Sequence, residues 1–345
     1  ERESSSSRRG GGMTMGERRH PVAEANEKSP FGEMSAEEFY ARHGVEHASS
    51  TYLNPRGLGI FTQSWIPLSP VPPAGILCVV HGYTGESSWL IQLTSVFFAH
   101  HAGFAVCALD HQGHGFSDGL PAHLPDIEPL VDDCLTVFHQ FRSRFPPSLP
   151  SFLYAESLGG AIALLVHLRS SQPPFLRWDG AILNGAMCAV SDKFKPPWPL
   201  EHLLWLAATL LPTWQVVPTR GTIPAVSFKV DWKRKLAVAS PRRPLGRPRA
   251  ATALELLRVC RDLQARFEQV TLPLLISHGA EDRVCDPAGV EELYRRAGSQ
   301  DKTLRVYDGM WHQLIGEPDD SVDLVFGEML DWLRARADRA KPTTY

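Results

Sequence analysis

A succession of short apolar runs, each ended by glycine or polar residues, constrains this chain more than any other feature of its sequence. ILCVV (76–80) stops at His81-Gly82, AVCAL (105–109) at Asp110, and FLYA (152–155) at Glu156-Ser157. Ala181–Leu183 stops at Asn184-Gly185, LLIS (274–277) at His278-Gly279, and TLRVY (303–307) at Asp308-Gly309. Ile60–Ile66 reads as an earlier strand. Runs apolar on both faces suit strands covered by helices on both sides of a parallel sheet. Helical patterns fall between them over Trp89–Ala99, Ile127–Phe145, Gly160–Leu168, Val290–Ala297 and Val322–Arg336. This alternation predicts an α/β fold with a mostly parallel central sheet flanked by helices. In such sheets the chemistry gathers at the carboxyl ends of the strands. Here those ends carry Ser, His and Asp.

The rhythm breaks once, over residues 187–267, where some eighty positions separate two strands. A plain crossover needs far fewer, so this block reads as a helical cap inserted between core strands. The core is then 31–186 and 268–345. Residues 1–30 are polar and rich in Ser, Gly and Arg, which predicts a disordered tail. The tail has no apolar stretch of signal-peptide type, the chain opens on Glu1, and Met13 or Met15 is the expected natural start. Leu203–Leu211 is the longest membrane-like stretch. As a helix it would span about 13.5 Å, far short of a ~30 Å hydrocarbon core. The expected location is cytoplasmic, with peripheral membrane contact left open.

The net charge of −3 across 345 residues argues against a globally basic nucleic-acid binder. The average hides an asymmetry. Between Lys229 and Arg249 stand eight Lys/Arg and one acid, Asp231, a local +7 that leaves −10 for the rest. Six cysteines without a CxxC pair support neither a disulfide scaffold nor a zinc ribbon. Cys78 and Cys107, inside apolar runs, read as free buried thiols.

Ala155-Glu-Ser157-Leu-Gly-Gly160 lies between a strand and a helix. This is the setting of a nucleophile elbow, whose general form is G-x-S-x-G. The turn lifts the Ser157 hydroxyl above the sheet and demands small neighbours, which Gly159 and Gly160 supply. Ala155 departs from the pattern by one methyl group. A helix-capping serine is the bland alternative. A serine hydroxyl needs a general base. His312, in DGMWH directly after the last run, is the candidate. A surface-loop histidine is the alternative. The base needs an acid to fix its tautomer. Asp282, in HGAEDR, is the candidate, with Glu281 and Asp286 as near competitors. The order Ser157, Asp282, His312 is that of α/β-hydrolases. Tyr83, in HGYTG, and Leu158, after the nucleophile, are placed to offer oxyanion N–H groups. His81 reads as structural. The turn DHQGHGFS lacks a phosphate loop's ending, and His111 and His114 read as structural rather than as metal ligands.

HGYTGESSW, DHQGHGFSDG, AESLGGA, HGAEDRVCDP and DGMWHQLIGEPDD together resemble the plant monoacylglycerol lipase-like serine hydrolases, a group that includes caffeoylshikimate esterase. FGEMSAEEFYARHG and FTQSWIPL are similar to that family's entry segment. The resemblance runs over about residues 30–336. It implies an α/β-hydrolase fold with a cap before the seventh core strand, no cofactor or metal, and hydrolysis of a carboxylic ester. It also implies a triad at Ser157, Asp282 and His312, oxyanion positions at Tyr83 and Leu158, and a plant origin.

The cap suggests the substrate. Leu203, Leu206 and Leu210, with Trp198 and Trp205, leave little polar face and are expected to bind an acyl chain. The basic stretch is expected to touch anionic lipid head groups. The expected substrate is a monoacylglycerol-like lipid. A phenolic ester such as caffeoylshikimate and a lysophospholipid are the alternatives, and a low-turnover receptor on the same fold is the reading from another class. A serine nucleophile argues against haloalkane or epoxide chemistry, whose intermediates form on a carboxylate.

Overall fold

The structure is a computed structural model that describes residues 18–170, 177–192, 195, 203–215, 217 and 222–340. Eight strands form one sheet: β1 Val45–Leu53, β2 Gly59–Pro67, β3 Gly75–Val80, β4 Phe104–Leu109, β5 Ser151–Glu156, β6 Gly180–Asn184, β7 Leu274–Gly279 and β8 Lys302–Tyr307. Their order is β1-β2-β4-β3-β5-β6-β7-β8. β2 runs antiparallel to both β1 and β4, and the other pairs are parallel.

The helices are α1 Ala36–Arg42, α2 Leu90–Ala102, α3 Glu128–Arg142, α4 Leu158–Ser170, α5 Leu204–Leu210, α6 Ile223–Ser227, α7 Asp231–Ala239, α8 Ala250–Gln264, α9 Pro287–Arg296 and α10 Asp319–Ala340. β3 shows why both faces of the sheet must be covered. Its Ile76, Cys78 and Val80 join the core beneath α3, α4 and α9, while Leu77 and Val79 join the core beneath α1, α2 and α10. The predicted runs match strands β2 to β8 to within a residue or two.

β1 was not foreseen. Only Val45 of its residues is buried, so VEHASSTYL carries no continuous apolar signal. It is an edge strand that needs only the backbone ladder of β2.

The disordered tail is corrected for residues 18–30. His20 is buried, with its ring 5.1 Å from that of Phe97 and 4.4 Å from that of Phe326. Its N–H donates to Asp323 at 2.8 Å, and its Nδ1 accepts from Val22. The polar composition misled because one imidazole and Val22 anchor this strap to α2 and α10. Residues 1–17 lie outside the described residues.

Helices α5 to α8 stand between β6 and β7, where the cap was expected. The separation from the core falls inside α8. Its Ala250 and Ala253 form a small cluster with Leu204 and Val217, while Val259, Cys260 and Leu263 join the main core. All six cysteines are free and buried. Among the described residues no helix is long and apolar enough to cross a membrane.

Candidate active site

Ser157 sits between β5 and α4 at φ +54°, in the left-handed region. A non-glycine residue there costs on the order of 1–3 kcal/mol and must be held by its surroundings. The Ser157 N–H donates to the Asn184 carbonyl at 3.1 Å, and the Ser157 carbonyl accepts from Gly160 and Met187, each at 2.9 Å. The neighbouring glycines are steric requirements. A Cβ on Gly159 would stand 2.2 Å from the Val80 carbonyl oxygen, and one on Gly160 2.4 Å from the Ala186 methyl. Ala155 is fully buried in β5, in register between Val80 and Leu183. Its extra methyl group is therefore absorbed by the core.

The three residues singled out for chemistry meet. His312 Nε2 lies 2.9 Å from Ser157 Oγ, and His312 Nδ1 lies 2.6 Å from Asp282 Oδ2. Gly185, at φ +56°, makes room for the base, since a Cβ there would press on the His312 carbonyl at 2.8 Å. Asp282 is chosen over Glu281 and Asp286 by position. Its Oδ1 accepts from the N–H groups of Val284 and Cys285 at 2.7 and 2.9 Å, which turns Oδ2 toward the imidazole. Asp286 instead caps α9. Burial alone would raise the Asp282 pKa. The charge of His312 and hydrogen bonds from His278 and His312 overcome that and hold the carboxyl well below its usual range.

Sequence reasoning missed His278. Its Nε2 lies 3.1 Å from Asp282 Oδ2, with the side chain fully buried. Only its place at the end of β7 hinted at this.

Tyr83 and Leu158 line the chamber that holds Ser157 and His312. The Tyr83 hydroxyl donates to the Ala122 carbonyl at 3.1 Å. His81 fixes the turn before Tyr83: its Nδ1–H donates to the Gly82 carbonyl at 2.8 Å, and its Nε2 accepts from the His111 N–H at 3.0 Å. Burial lowers the His81 pKa to about 4 and that of His114 to about 3, so both are neutral at pH 7.

Two small chambers meet at the site. The first, about 50 Å³, is apolar: Leu158, Met187, Val190, Ile223, Leu256 and Val284 surround Ser157 and His312. The second, about 40 Å³, is mixed: Trp89, Leu90, Ile91 and Phe228 line it beside Thr84, Glu86, Glu156 and Ser240. Tyr83, Arg243 and Gln313 belong to both. Each holds a few water molecules at most, against roughly 300–1,000 Å³ for a ligand site. Among the described residues, Ile223 and Leu256 of the cap stand in the wall of the apolar chamber. A larger hollow of about 440 Å³ lies between the β1–β2 hairpin and α3. It is distant from Ser157 in the fold and contains neither nucleophile nor base.

The cap expectations need correction. Leu203, Trp205, Leu206 and Leu210 are 52, 60, 40 and 67% exposed and line neither chamber. α5 lies against α8 through Leu204 and turns its other side outward. Trp198 lies outside the described residues. The basic stretch is not one solvated surface either. The Lys233 side chain is 1% exposed and pairs with Asp319 at 2.8 Å, while Arg243 turns into the site. Among the described residues, the acidic, thiol and imidazole groups close enough to share a metal ion are those of Asp282, Cys285 and His312. Two of these are already bonded to each other in the relay.

Comparison with known proteins identifies the family and the fold. Residues 71–319 match the family model Hydrolase_4, described as serine aminopeptidase, S33. The chain is 34% identical over 305 residues to caffeoylshikimate esterase of Arabidopsis thaliana, covering 88% of this chain and 90% of that one. It is 29% identical to a monoacylglycerol lipase of Mycolicibacterium smegmatis, with coverage of 80% and 93%, and 28% identical to human monoglyceride lipase, with coverage of 84% and 91%. Among solved structures, a soluble variant of monoglyceride lipase from Saccharomyces cerevisiae superposes with a TM-score of 0.72 at 20% identity, covering 87% of this chain and 96% of that one. The chain belongs to the Hydrolase_4 family and is a serine ester hydrolase of the α/β-hydrolase superfamily.

Proposed function

We propose that this protein hydrolyses a carboxylic ester joining an apolar or aromatic acyl group to a compact polar alcohol, with a soluble phenolic ester of the caffeoylshikimate type as substrate. The observation that carries the reaction is the relay Asp282–His312–Ser157, at 2.6 and 2.9 Å. His312 takes the Ser157 proton as the hydroxyl attacks the ester carbonyl. The N–H groups of Tyr83 and Leu158 receive the oxyanion, and each such donor contributes about 3–4 kcal/mol in the transition state. The alcohol leaves with the proton from His312, and water clears the acyl-enzyme by the same route. One observation favours a phenolic substrate over a long acyl chain: the 34% identity to a caffeoylshikimate esterase.

Ser157→Ala tests the reaction. It should lower kcat by on the order of 10⁶, as removal of the nucleophile does in another triad enzyme. A variant keeping a tenth of the wild-type rate contradicts the role. Turnover of caffeoylshikimate, a monoacylglycerol and a lysophospholipid on one sample ranks the substrates, and the first should lead.

A second reading, a monoacylglycerol-like lipid, has its own support. The outward residues of α5, with Trp214 at 59% exposure, form an apolar face suited to reversible contact with a lipid surface. That face, rather than the charge run, would make the contact. Liposome flotation tests it, and equal, negligible binding to neutral and anionic vesicles removes it.

A further inference from the structure

The cations between Lys229 and Arg249 have different partners. Lys229 donates to the Gly309 carbonyl, Lys233 pairs with Asp319, Arg234 with Asp231, Lys235 with Glu27, and Arg249 reaches the Pro121 carbonyl. Arg242 lies over the Phe116 ring. Arg243 lies 6.0 Å from the Phe228 ring centroid and turns into the site. Its Nε is shielded from solvent and, among the described residues, has no hydrogen-bond partner. Among the described residues its one hydrogen bond is a long one, from Nη2 to Thr84 Oγ1 at 3.4 Å.

The two nearest carboxylates are bonded elsewhere. Glu86 accepts from the Ser88 N–H and from Ser240 Oγ, and Glu156 accepts from the Tyr154 hydroxyl at 2.6 Å. Among the described residues no carboxylate comes within 4.0 Å of Arg243. Burial raises the pKa of both acids, Glu86 to about 8. A guanidinium carries five donors in a fixed fork that fits carboxylate and phosphate oxygens. Leaving the Nε donor shielded and unpaired is costly, and an oxyanion reaching the fork would satisfy it.

Position supplies the rest. Arg243 stands in the wall shared by the apolar chamber at Ser157 and the mixed chamber that includes Thr84 and Glu86. Gln313, the residue after the general base, is in the same wall. The apolar chamber suits the acyl group. The leaving alcohol, which takes its proton from His312, then faces the second chamber, where Thr84, Ser240 and Arg243 offer polar groups.

We propose that Arg243 is a specificity residue that receives an oxyanion, carboxylate or phosphate, carried on the alcohol part of the ester. The assignment rests on ester hydrolysis at Ser157. Uncharged alcohols gain only neutral hydrogen bonds from this group, so Arg243 sorts esters by the charge on their alcohol.

The test compares matched esters. Caffeoylshikimate, whose alcohol bears a carboxylate, is set against methyl caffeate. A lysophosphatidic acid is set against the monoacylglycerol of the same acyl chain. Arg243→Met should lower the anionic-over-neutral ratio of kcat/KM roughly 10–100-fold for at least one pair, with the loss in KM, as expected for a charge-assisted hydrogen bond. The affected pair identifies the oxyanion, and Arg243→Lys should recover part of the ratio. Ratios unchanged within about threefold in both pairs overturn the proposal. Fluorophosphonate labelling of Ser157 in the same variants reports separately on the reaction itself. If Arg243→Met does not fold, wild-type protein decides the matter: free shikimate should inhibit methyl caffeate hydrolysis at least tenfold more strongly than its methyl ester, and equal inhibition overturns the assignment.

Discussion

Replacing Lys233 with methionine tests whether the cap is tied to the catalytic loop. The Lys233 ammonium donates to the Glu317 carbonyl at 2.7 Å and pairs with Asp319 Oδ1 at 2.8 Å. Glu317 in turn accepts from the N–H of Trp311, the residue before His312, at 2.6 Å. Methionine keeps the stem and removes the charge. The Glu317 carbonyl, left without its donor, costs about 1–3 kcal/mol. The Asp319 side chain is 35% exposed, so water resolvates it and the lost pair adds only about 0.5–1 kcal/mol. Relief from burying the ammonium offsets part of this, leaving a net loss of about 1–3 kcal/mol. For a chain of this size, that lowers Tm by about 1–4 °C. Thermal unfolding followed by near-ultraviolet circular dichroism measures it. Lys235→Met, at an exposed position on the same helix, should melt with the wild type. kcat should also fall severalfold in Lys233→Met. If Lys233→Met melts with Lys235→Met, the ammonium contributes no net stability and the reasoning fails.

Other outcomes follow from the same geometry. Asp282→Asn keeps the bonds from Val284 and Cys285 but turns an amide toward His312, forcing a tautomer that cannot accept the Ser157 proton; steady-state kcat should fall by roughly 10³–10⁴. Glu86 has its pKa raised from 4.5 to about 8 by burial and by Asp110, so the folded state holds a proton that the unfolded chain releases. Stability therefore falls as pH rises from about 4.5 to about 8, and Glu86→Gln should flatten Tm against pH across that window. Ala155→Gly restores the general elbow pattern yet should cost about 0.5–1 kcal/mol in denaturant titration and leave kcat within about twofold. A severalfold rise in rate would mean that the Ala155 methyl group hinders the site.

The seven predicted strands were legible because a strand covered on both faces must be apolar throughout, and its end must change character abruptly. Ser157, Asp282 and His312 were legible because each follows such an end. β1 was not, since an edge strand draws on backbone hydrogen bonds and leaves its side chains free to be polar. Arg243 was hidden among eight cations, and sequence alone does not tell which of them turns inward. The outward residues of α5 misled for the opposite reason. An apolar stretch announces burial or an apolar partner, and here Leu204 packs on α8 while Leu203, Trp205 and Leu210 face out. His20 shows the limit of composition, because a single buried ring is enough to dock a polar strap.

Peptide mapping after reaction with a fluorophosphonate probe tests the central claim most directly, because the probe reports an activated serine whatever the natural ester. The relay at 2.9 and 2.6 Å predicts one adduct, on Ser157, absent in Ser157→Ala and strongly slowed in His312→Ala. An adduct on another serine, or equal labelling of wild type and Ser157→Ala, would contradict the account.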